Sequence, residues 1–374
     1  MIVNKKKIAF VLSFLIMIIA LTGCGEKEVN YADVPEEYVK TLEYHDGFVI
    51  VQLTDIHWNT ATYIGNDEHG SKAYLLRVLN EINSKFGNVD LIEVTGDTFC
   101  LSNKLSVNSF IDFMEQVGVP YAITWGNHDR QCKFNPNWLS RRFLEAPFSL
   151  YTEVDHDNLH ERGNYVVELM HGDKVAWQLF NLDSGSTYRS GAMDIGLQSD
   201  FIRTDQLEWL EFMHNRVGEN VPVLCFYHIP QREFAEGYEA VMAGEAGYSS
   251  DFYLMEDLYG SDHAISMNPV FSRNNVKGAF VGHDHANDWT FTNPDNIVYG
   301  FGVKSNKELY SLDVKNELLD SYDEVNPDVD SEFDLMGASV IKLVNENGDF
   351  ELYHLYLGED AEKTTAEPIW DRYR

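Results

Sequence analysis

Five short apolar runs, each ending in residues able to hold a divalent cation, constrain this chain more than any bulk property. Phe48-Val49-Ile50-Val51-Gln52-Leu53 leads into Asp55-Ile56-His57, and Val89-Asp90-Leu91-Ile92-Glu93-Val94 into Gly96-Asp97. Val119-Pro120-Tyr121-Ala122-Ile123 leads into Gly126-Asn127-His128-Asp129. Val221–Tyr227 leads into His228, and Val276–Val281 into Gly282-His283-Asp284-His285. Near-continuous runs of this kind suit strands covered on both faces, because neither side of such a strand meets water. Helical spacings lie between several of them. Ser71 predicts the cap of a helix that buries Leu75, Val78, Leu79, Ile82 and Phe86. Ser106 predicts a second cap, with Val107, Phe110, Ile111, Met114 and Val117 inward and Gly118 as the stop. Thr204 begins a third helix, with Leu207, Leu210, Met213 and Val217 ahead of Gly218. Alternating strands and helices give an α/β layered fold, in which ligands collect at the carboxyl ends of strands.

The strand-end residues gathered together are Asp55, His57, Asp97, Asn127, His228, His283 and His285. Carboxylate, imidazole and amide oxygen suit ions of intermediate hardness such as Mn, Fe or Zn. Seven ligands are too many for one ion and suit two divalent ions sharing a carboxylate, for which Asp97 is the natural bridge. Such a pair, about 3.5–4 Å apart, clamps the attacking and leaving oxygens of an in-line displacement at phosphorus. Opposed by Asp55, Asp97 and a bridging hydroxide, two divalent ions leave a net positive charge that draws a phosphate ester. No thiolate belongs to the set, which disfavours a structural zinc site.

That local charge matters because the chain carries a formal −32. So acidic a surface excludes long nucleic acids, whose binding rests on Lys and Arg neutralising phosphates. It leaves a small phosphorylated substrate as the partner. The N-terminus predicts a second partner, the membrane. Lys5, Lys6 and Lys7 precede an apolar run from Ile8 to Ala20 that is short for a span. Leu21-Thr22-Gly23-Cys24 then resembles the bacterial lipoprotein box, which implies a lipidated Cys24 and an extracytoplasmic, lipid-anchored protein. Removing residues 1–23 takes away three lysines and no acids, moving the charge from −32 to −35. Domain expectations follow: signal peptide 1–23, polar tether 24–46, folded domain 47–360 and a tail 361–374. Three of the four cysteines, Cys100, Cys132 and Cys225, then remain. An odd number implies no complete disulfide framework, although a Cys100–Cys132 bridge is open.

Other segments carry weaker signals. Residues 163–182 predict a β-hairpin around His171-Gly172-Asp173, and Ala338–Val344 with Phe350–Leu357 a closing strand pair. Ser184–Gln198 reads as a surface loop, Glu233–Tyr259 as an acidic insertion at the site rim, and Lys315–Asp334 as an acidic segment containing proline.

Asp55-x-His57, Gly96-Asp97, Gly126-Asn127-His128-Asp129, His228 and Gly282-His283-Asp284-His285 together resemble the calcineurin-like metallophosphoesterase signature, in the same order. The resemblance covers roughly residues 47–302. It implies a four-layer α/β fold: a β-sandwich of two mixed sheets flanked by helices, rather than a simple parallel sheet. It implies that Asp55, His57 and His285 bind one metal, that Asn127, His228 and His283 bind the other, and that Asp97 bridges them. Within the superfamily, Arg162-Gly163-Asn164-Tyr165, His228-Ile229-Pro230 and the stretch from Gly282 to Asp288 are similar to a purple-acid-phosphatase-like branch. His57 and Cys100 depart from the purple enzymes' own pattern, so their coloured tyrosinate centre is not expected. The resemblance implies hydrolysis of phosphate esters, monoester or diester, by a metal-bridging hydroxide. Adjacent residues do not easily point at one ion, so with Asn127 a ligand, His128 is expected to face the phosphoryl group as acid or transition-state stabiliser. Asp129 is expected to orient it. Trp58 and Trp125 suit cleft wall or core equally, and Arg130 either a substrate oxygen or a salt bridge. The alternative on the same fold is a catalytically silent lipoprotein that binds a phosphorylated ligand.

Overall fold

Two β-sheets face one another, and both send the carboxyl ends of parallel strands to one edge. In the computed structural model the described residues are 38–58, 71–100, 102–131, 134–153, 159–188, 198–251, 258, 260–305, 336–357 and 369–373. All of them fall in one unit, Pro35–Arg374. The first elements are β1 (Val39–Glu43), β2 (Phe48–Leu53), α1 (Ser71–Phe86), β3 (Leu91–Thr95), α2 (Lys104–Val117), β4 (Tyr121–Thr124) and α3 (Pro136–Leu144). Then come β5 (Tyr165–His171), β6 (Lys174–Asn181), β7 (Thr187–Tyr188), β8 (Gln198–Ser199), α4 (Thr204–Asn215), β9 (Val223–Phe226) and α5 (Arg232–Ala243). The last are β10 (Ser249–Asp251), α6 (Asn268–Arg273), β11 (Val276–Val281), β12 (Thr290–Thr292), β13 (Val298–Phe301), β14 (Gly337–Leu343), β15 (Phe350–Tyr356) and β16 (Ile369–Tyr373).

One sheet has the order β16-β15-β14-β2-β3-β4, the other β1-β5-β6-β9-β11-β13-β12-β10. In the first, β2, β3 and β4 run parallel while β14 is antiparallel to β2. In the second, β6, β9, β11 and β13 run parallel, with β5 antiparallel to β6 and β12 antiparallel to β13. Both sheets are therefore mixed, as the motif resemblance implied. All six residues of β2 are buried, which is why its sequence lacks the alternation of a half-exposed strand. Its one polar side chain links the sheets: the Gln52 amide donates to Thr95 Oγ1 and to the Val281 carbonyl, each at 2.9 Å. Tyr165 does likewise, accepting the Ile123 N–H at 2.7 Å and donating to the Ile123 carbonyl at 3.0 Å.

The predicted helix faces are the buried ones. Leu75, Val78, Leu79 and Ile82 of α1 and Val107, Phe110, Ile111 and Met114 of α2 lie in the core, and Gly118 ends α2 with φ 71°. The cap of α2 is a correction. It is Asn103, whose Oδ1 accepts from Leu105 N–H and Ser106 N–H at 2.8 and 3.1 Å, so Ser106 sits inside the first turn and is buried.

Four boundaries also differ from expectation. The segment 39–43, assigned to the tether, is β1 and pairs in parallel with β5; Val39 and Leu42 among polar residues suit an edge strand. Ile369–Tyr373, assigned to the tail, is β16 against β15. The segment 232–243, assigned to an insertion, is α5, anchored by Phe234 against Phe291, Tyr299 and Phe301. Ser184, assigned to a surface loop, is buried, because the chain leaves β6 inside the molecule. Cys24, Cys132 and the segment 315–334 lie outside the described residues.

Candidate metal centre

The site is built where five strands stop. Asp55, Asp97 and Asn127 follow β2, β3 and β4 of one sheet; His228 and His283 follow β9 and β11 of the other. The strand pairing continues past the strands and fixes the loops: Asp55 N–H bonds to Gly96 O, His57 N–H to Asp97 O and Trp58 N–H to Thr98 O, at 3.2, 2.9 and 2.7 Å. Asp55, His57, Asp97 and His283 all adopt positive φ, at 51°, 46°, 46° and 80°. Such conformations cost of order 1–3 kcal/mol each for non-glycine residues and persist where surroundings over-determine them. Two glycines before ligands are there for closeness. A Cβ on Gly126 would strike the Asp97 carboxylate, and one on Gly282 would strike Thr54 and Asp55.

The donor atoms fall into two groups, Asp55, His57, Asp97 and His285, and Asp97, His228 and His283, each within 4.8 Å of one another. Asp97 belongs to both. Asn127 joins the second group, its Oδ1 lying 3.1 Å from His228 Nε2. His228 Nδ1 donates to the Thr95 carbonyl at 2.9 Å, which leaves Nε2 free to face Asp97 Oδ2 at 3.3 Å. That orientation, with the outer nitrogen on a carbonyl, is how ligating histidines are held. His57 and His285 bring their Nε2 atoms to 3.3 Å of each other. Four imidazoles, two carboxylates and an amide oxygen converging at such distances in a buried site fit a shared pair of divalent ions.

The electrostatics are those of paired opposite charges out of water. Burial raises the Asp55 carboxyl, but His285 and His228 outweigh it and hold Asp55 at about 2. Asp97 is likewise raised by burial and driven well below the usual carboxylate range by His228, His57 and His128. His228, lowered by burial, is lifted by Asp97 to about 10. His57 and His283, for which burial dominates, fall to about 4 and about 3.

His128 stands at the mouth, a third of its side chain exposed, with its ring 5.2 Å from that of His57. Its Nδ1 is 2.8 Å from Gln131 Oε1 and its Nε2 is 3.9 Å from Asp97 Oδ2. Its backbone N–H donates to Asp97 Oδ1 at 2.8 Å. Asp129 does not orient the ring as expected. Its two carboxylate oxygens accept from Phe99 N–H and Gly126 N–H, both at 2.8 Å, so it shapes the loop instead. Burial and the Asp97 charge push it up to about 8. Arg130 forms ion pairs with Glu161 and Asp183. Trp58 and Trp125 belong to the hydrophobic core, although Trp125 also lines a cavity of about 440 Å³ beside the His128 loop. Asp284 belongs to neither donor group, and the Asn287 amide donates to it at 3.2 Å.

Sequence reasoning missed Asp183-Ser184-Gly185-Ser186. Ser186 Oγ donates to the Asn127 carbonyl at 3.2 Å and Ser184 Oγ accepts from Ile229 N–H at 3.0 Å. The signal was the one already in use: β6 is an apolar run parallel to β9, and it ends in Asp-Ser at the same edge.

Two mixed sheets bring two donor groups together around one shared carboxylate, a candidate site for two divalent ions. The chain belongs to the calcineurin-like phosphoesterase family, whose model matches residues 48–287. Among curated relatives, it is 29% identical over 230 residues to "Probable inactive purple acid phosphatase 28" of Arabidopsis thaliana, covering 54% of this chain and 55% of that one. It is 24% identical to "Phosphatase DCR2" of Saccharomyces cerevisiae, over 65% of this chain and 44% of that one. The chain thus spans about half the length of these relatives. Among solved structures it is similar to a 5'-nucleotidase from Candida albicans, with a TM-score of 0.41 and 12% identity over 86% of this chain and 53% of that one.

Proposed function

We propose that the protein hydrolyses small phosphate esters at this centre with two divalent ions bound. The observation that carries the reading is the division of buried donors into two groups sharing Asp97. When bound, a divalent pair supplies Lewis acidity and a lowered water pKa. The chain's own residues do the rest. Asp55, His57 and His285 would hold one ion and Asn127, His228 and His283 the other, with Asp97 available to both. His128, exposed at the mouth with Nδ1 on Gln131, presents Nε2 inward to protonate the leaving oxygen or stabilise charge on the phosphoryl group. Metal-loaded protein assayed on a chromogenic monoester and diester tests the reading. His128→Ala is expected to retain both metals and lose roughly 10²–10⁴-fold in kcat, the usual weight of a general acid. Turnover of neither ester by the metal-loaded parent would sink it.

A second reading is a silent ligand-binding protein. Three curated relatives carry "probable inactive" in their names, which motivates it. The complete donor set here favours the enzyme.

We further propose a bacterial, extracytoplasmic protein held to the membrane through a lipidated Cys24, on the strength of Leu21-Thr22-Gly23-Cys24. No helix among the described residues is long and apolar enough to cross a membrane. Cys24→Ser is expected to move the protein from the membrane fraction to the soluble one; an unchanged distribution counts against the anchor.

A further inference from the structure

We infer that the chain leaving β6 is the positioning element of one half of the centre, through Ser184 and Ser186 together with Ser199 on β8. This rests on the functional reading above, because it uses the division of ligands between two ions. Ser186 Oγ donates to the Asn127 carbonyl at 3.2 Å and so fixes the peptide that carries the amide ligand. Ser184 Oγ accepts the N–H of Ile229, the residue after His228, at 3.0 Å. Ser199 Oγ lies 3.4 Å from His283 Nε2. The three hydroxyls thus reach Asn127, the backbone beside His228, and His283, which are the ligands of the second group.

With Nδ1 on the ion, His283 Nε2 would carry the proton and donate it to the Ser199 hydroxyl, which would hold the ring's orientation as the Thr95 carbonyl holds that of His228. The anchor of this segment is Asp183. Its carboxylate accepts from Gly163 N–H and Gly185 N–H at 3.3 and 3.1 Å and pairs with Arg130, three residues beyond Asn127. Asn164 Oδ1 takes the Asp183 N–H at 3.1 Å, and the Gln206 amide donates to the Asp183 carbonyl at 2.8 Å. The segment is held from α4 and from the start of β5, and it transmits that rigidity to Asn127, His228 and His283. Ser184, Ser186 and Ser199 are positioning residues, not ligands.

The test is a Mn²⁺ titration of metal-stripped full-length protein by calorimetry, with metal content measured by mass spectrometry. His283→Ala and His285→Ala serve as references for the two positions. Ser186→Ala and Ser199→Ala, made separately on two elements, are expected to weaken one position roughly 10–100-fold, the usual cost of losing an outer-shell partner, and to leave the other unchanged. The weakened position should be the one lost in His283→Ala, and Ser199→Thr should restore it. If the reference variants resolve two positions and both serine variants keep parental affinity at each, the inference is overturned. Equal weakening at both positions also overturns it, since that marks general loosening. Failure of the reference variants to resolve two positions would instead overturn the two-ion reading itself.

Discussion

Glu93 lies within the apolar run of β3, and the fold buries it completely. Its polar neighbour is Asn181, from β6 in the opposite sheet, and neither its carboxyl oxygens nor the two amide atoms have another hydrogen-bond partner among the described residues. A carboxylate there would face the two lone pairs of the Asn181 oxygen with nothing to donate. A neutral carboxylic acid complements a primary amide, donating to its oxygen and accepting from its nitrogen. Burial accordingly raises Glu93 from 4.5 to about 8, against a smaller lowering by Asn181. A carboxyl whose folded pKa lies above its unfolded one stabilises the fold fully below about pH 4.5. That contribution is lost as pH rises through 8. Each tenfold change in proton affinity is worth about 1.4 kcal/mol, so the swing is a few kcal/mol. Glu93→Gln keeps the size and the pairing without a proton to lose. In urea unfolding, its stability relative to the parent is expected to improve from pH 5 to about pH 8 and to level off above that. Parallel curves over that range would mean that Glu93 is not held neutral.

At the scale of elements, what was legible depended on whether a segment's own side chains carry the signal. β2 and β11 read correctly because nearly all their residues are buried, and each run is interrupted by a single polar side chain, Gln52 or the half-buried Lys277. The seven candidate ligands stood out in the sequence because each lies within a few residues of the end of such a run, and six of them fall in the two donor groups. β1 did not, since an edge strand needs only Val39 and Leu42 and takes its hydrogen bonds from β5, far away in sequence. β12 and β13 were missed for a similar reason: they are short, and their burial comes from the ring cluster that Phe234 brings over them. Asp183 and Ser186 were missed because their importance lies in which loops they touch, which only the assembled sheets decide. The cap of α2 shows the same limit at close range. Asn103 and Ser106 are both good caps by type, and the helix begins after Asn103. Asn103→Ala is therefore expected to cost about 1 kcal/mol in chemical denaturation. A cost well below the error of that measurement would show that water serves the first turn equally well.

At the scale of the whole molecule, the centre joins the two sheets. Asp55, Asp97 and Asn127 come from one, and His228, His283 and His285 from the other, so the proposed ions contact both. Without them, the two groups retain only ion pairs and hydrogen bonds such as His228 to Asp97 and His285 to Asp55, at 3.3 Å each. The positive φ values at Asp55, His57, Asp97 and His283 add strain at the same place. Bound cations relieve this on the folded side only, because the unfolded chain scatters the ligands across more than two hundred residues. Ligation to the folded state alone stabilises by RT ln(1 + [L]/Kd), about 2.7 kcal/mol when free metal is a hundred times Kd. Metal-stripped protein is expected to melt at a lower temperature, and its Tm to climb with the logarithm of added Mn²⁺ or Zn²⁺. Asp97→Asn, which removes the shared charge, should flatten that climb more than Asn127→Ala, which removes a ligand from one group alone. A Tm that stays constant while calorimetry records two bound ions would show that the unfolded chain binds metal as tightly as the folded one, which overturns ligation by the folded state alone.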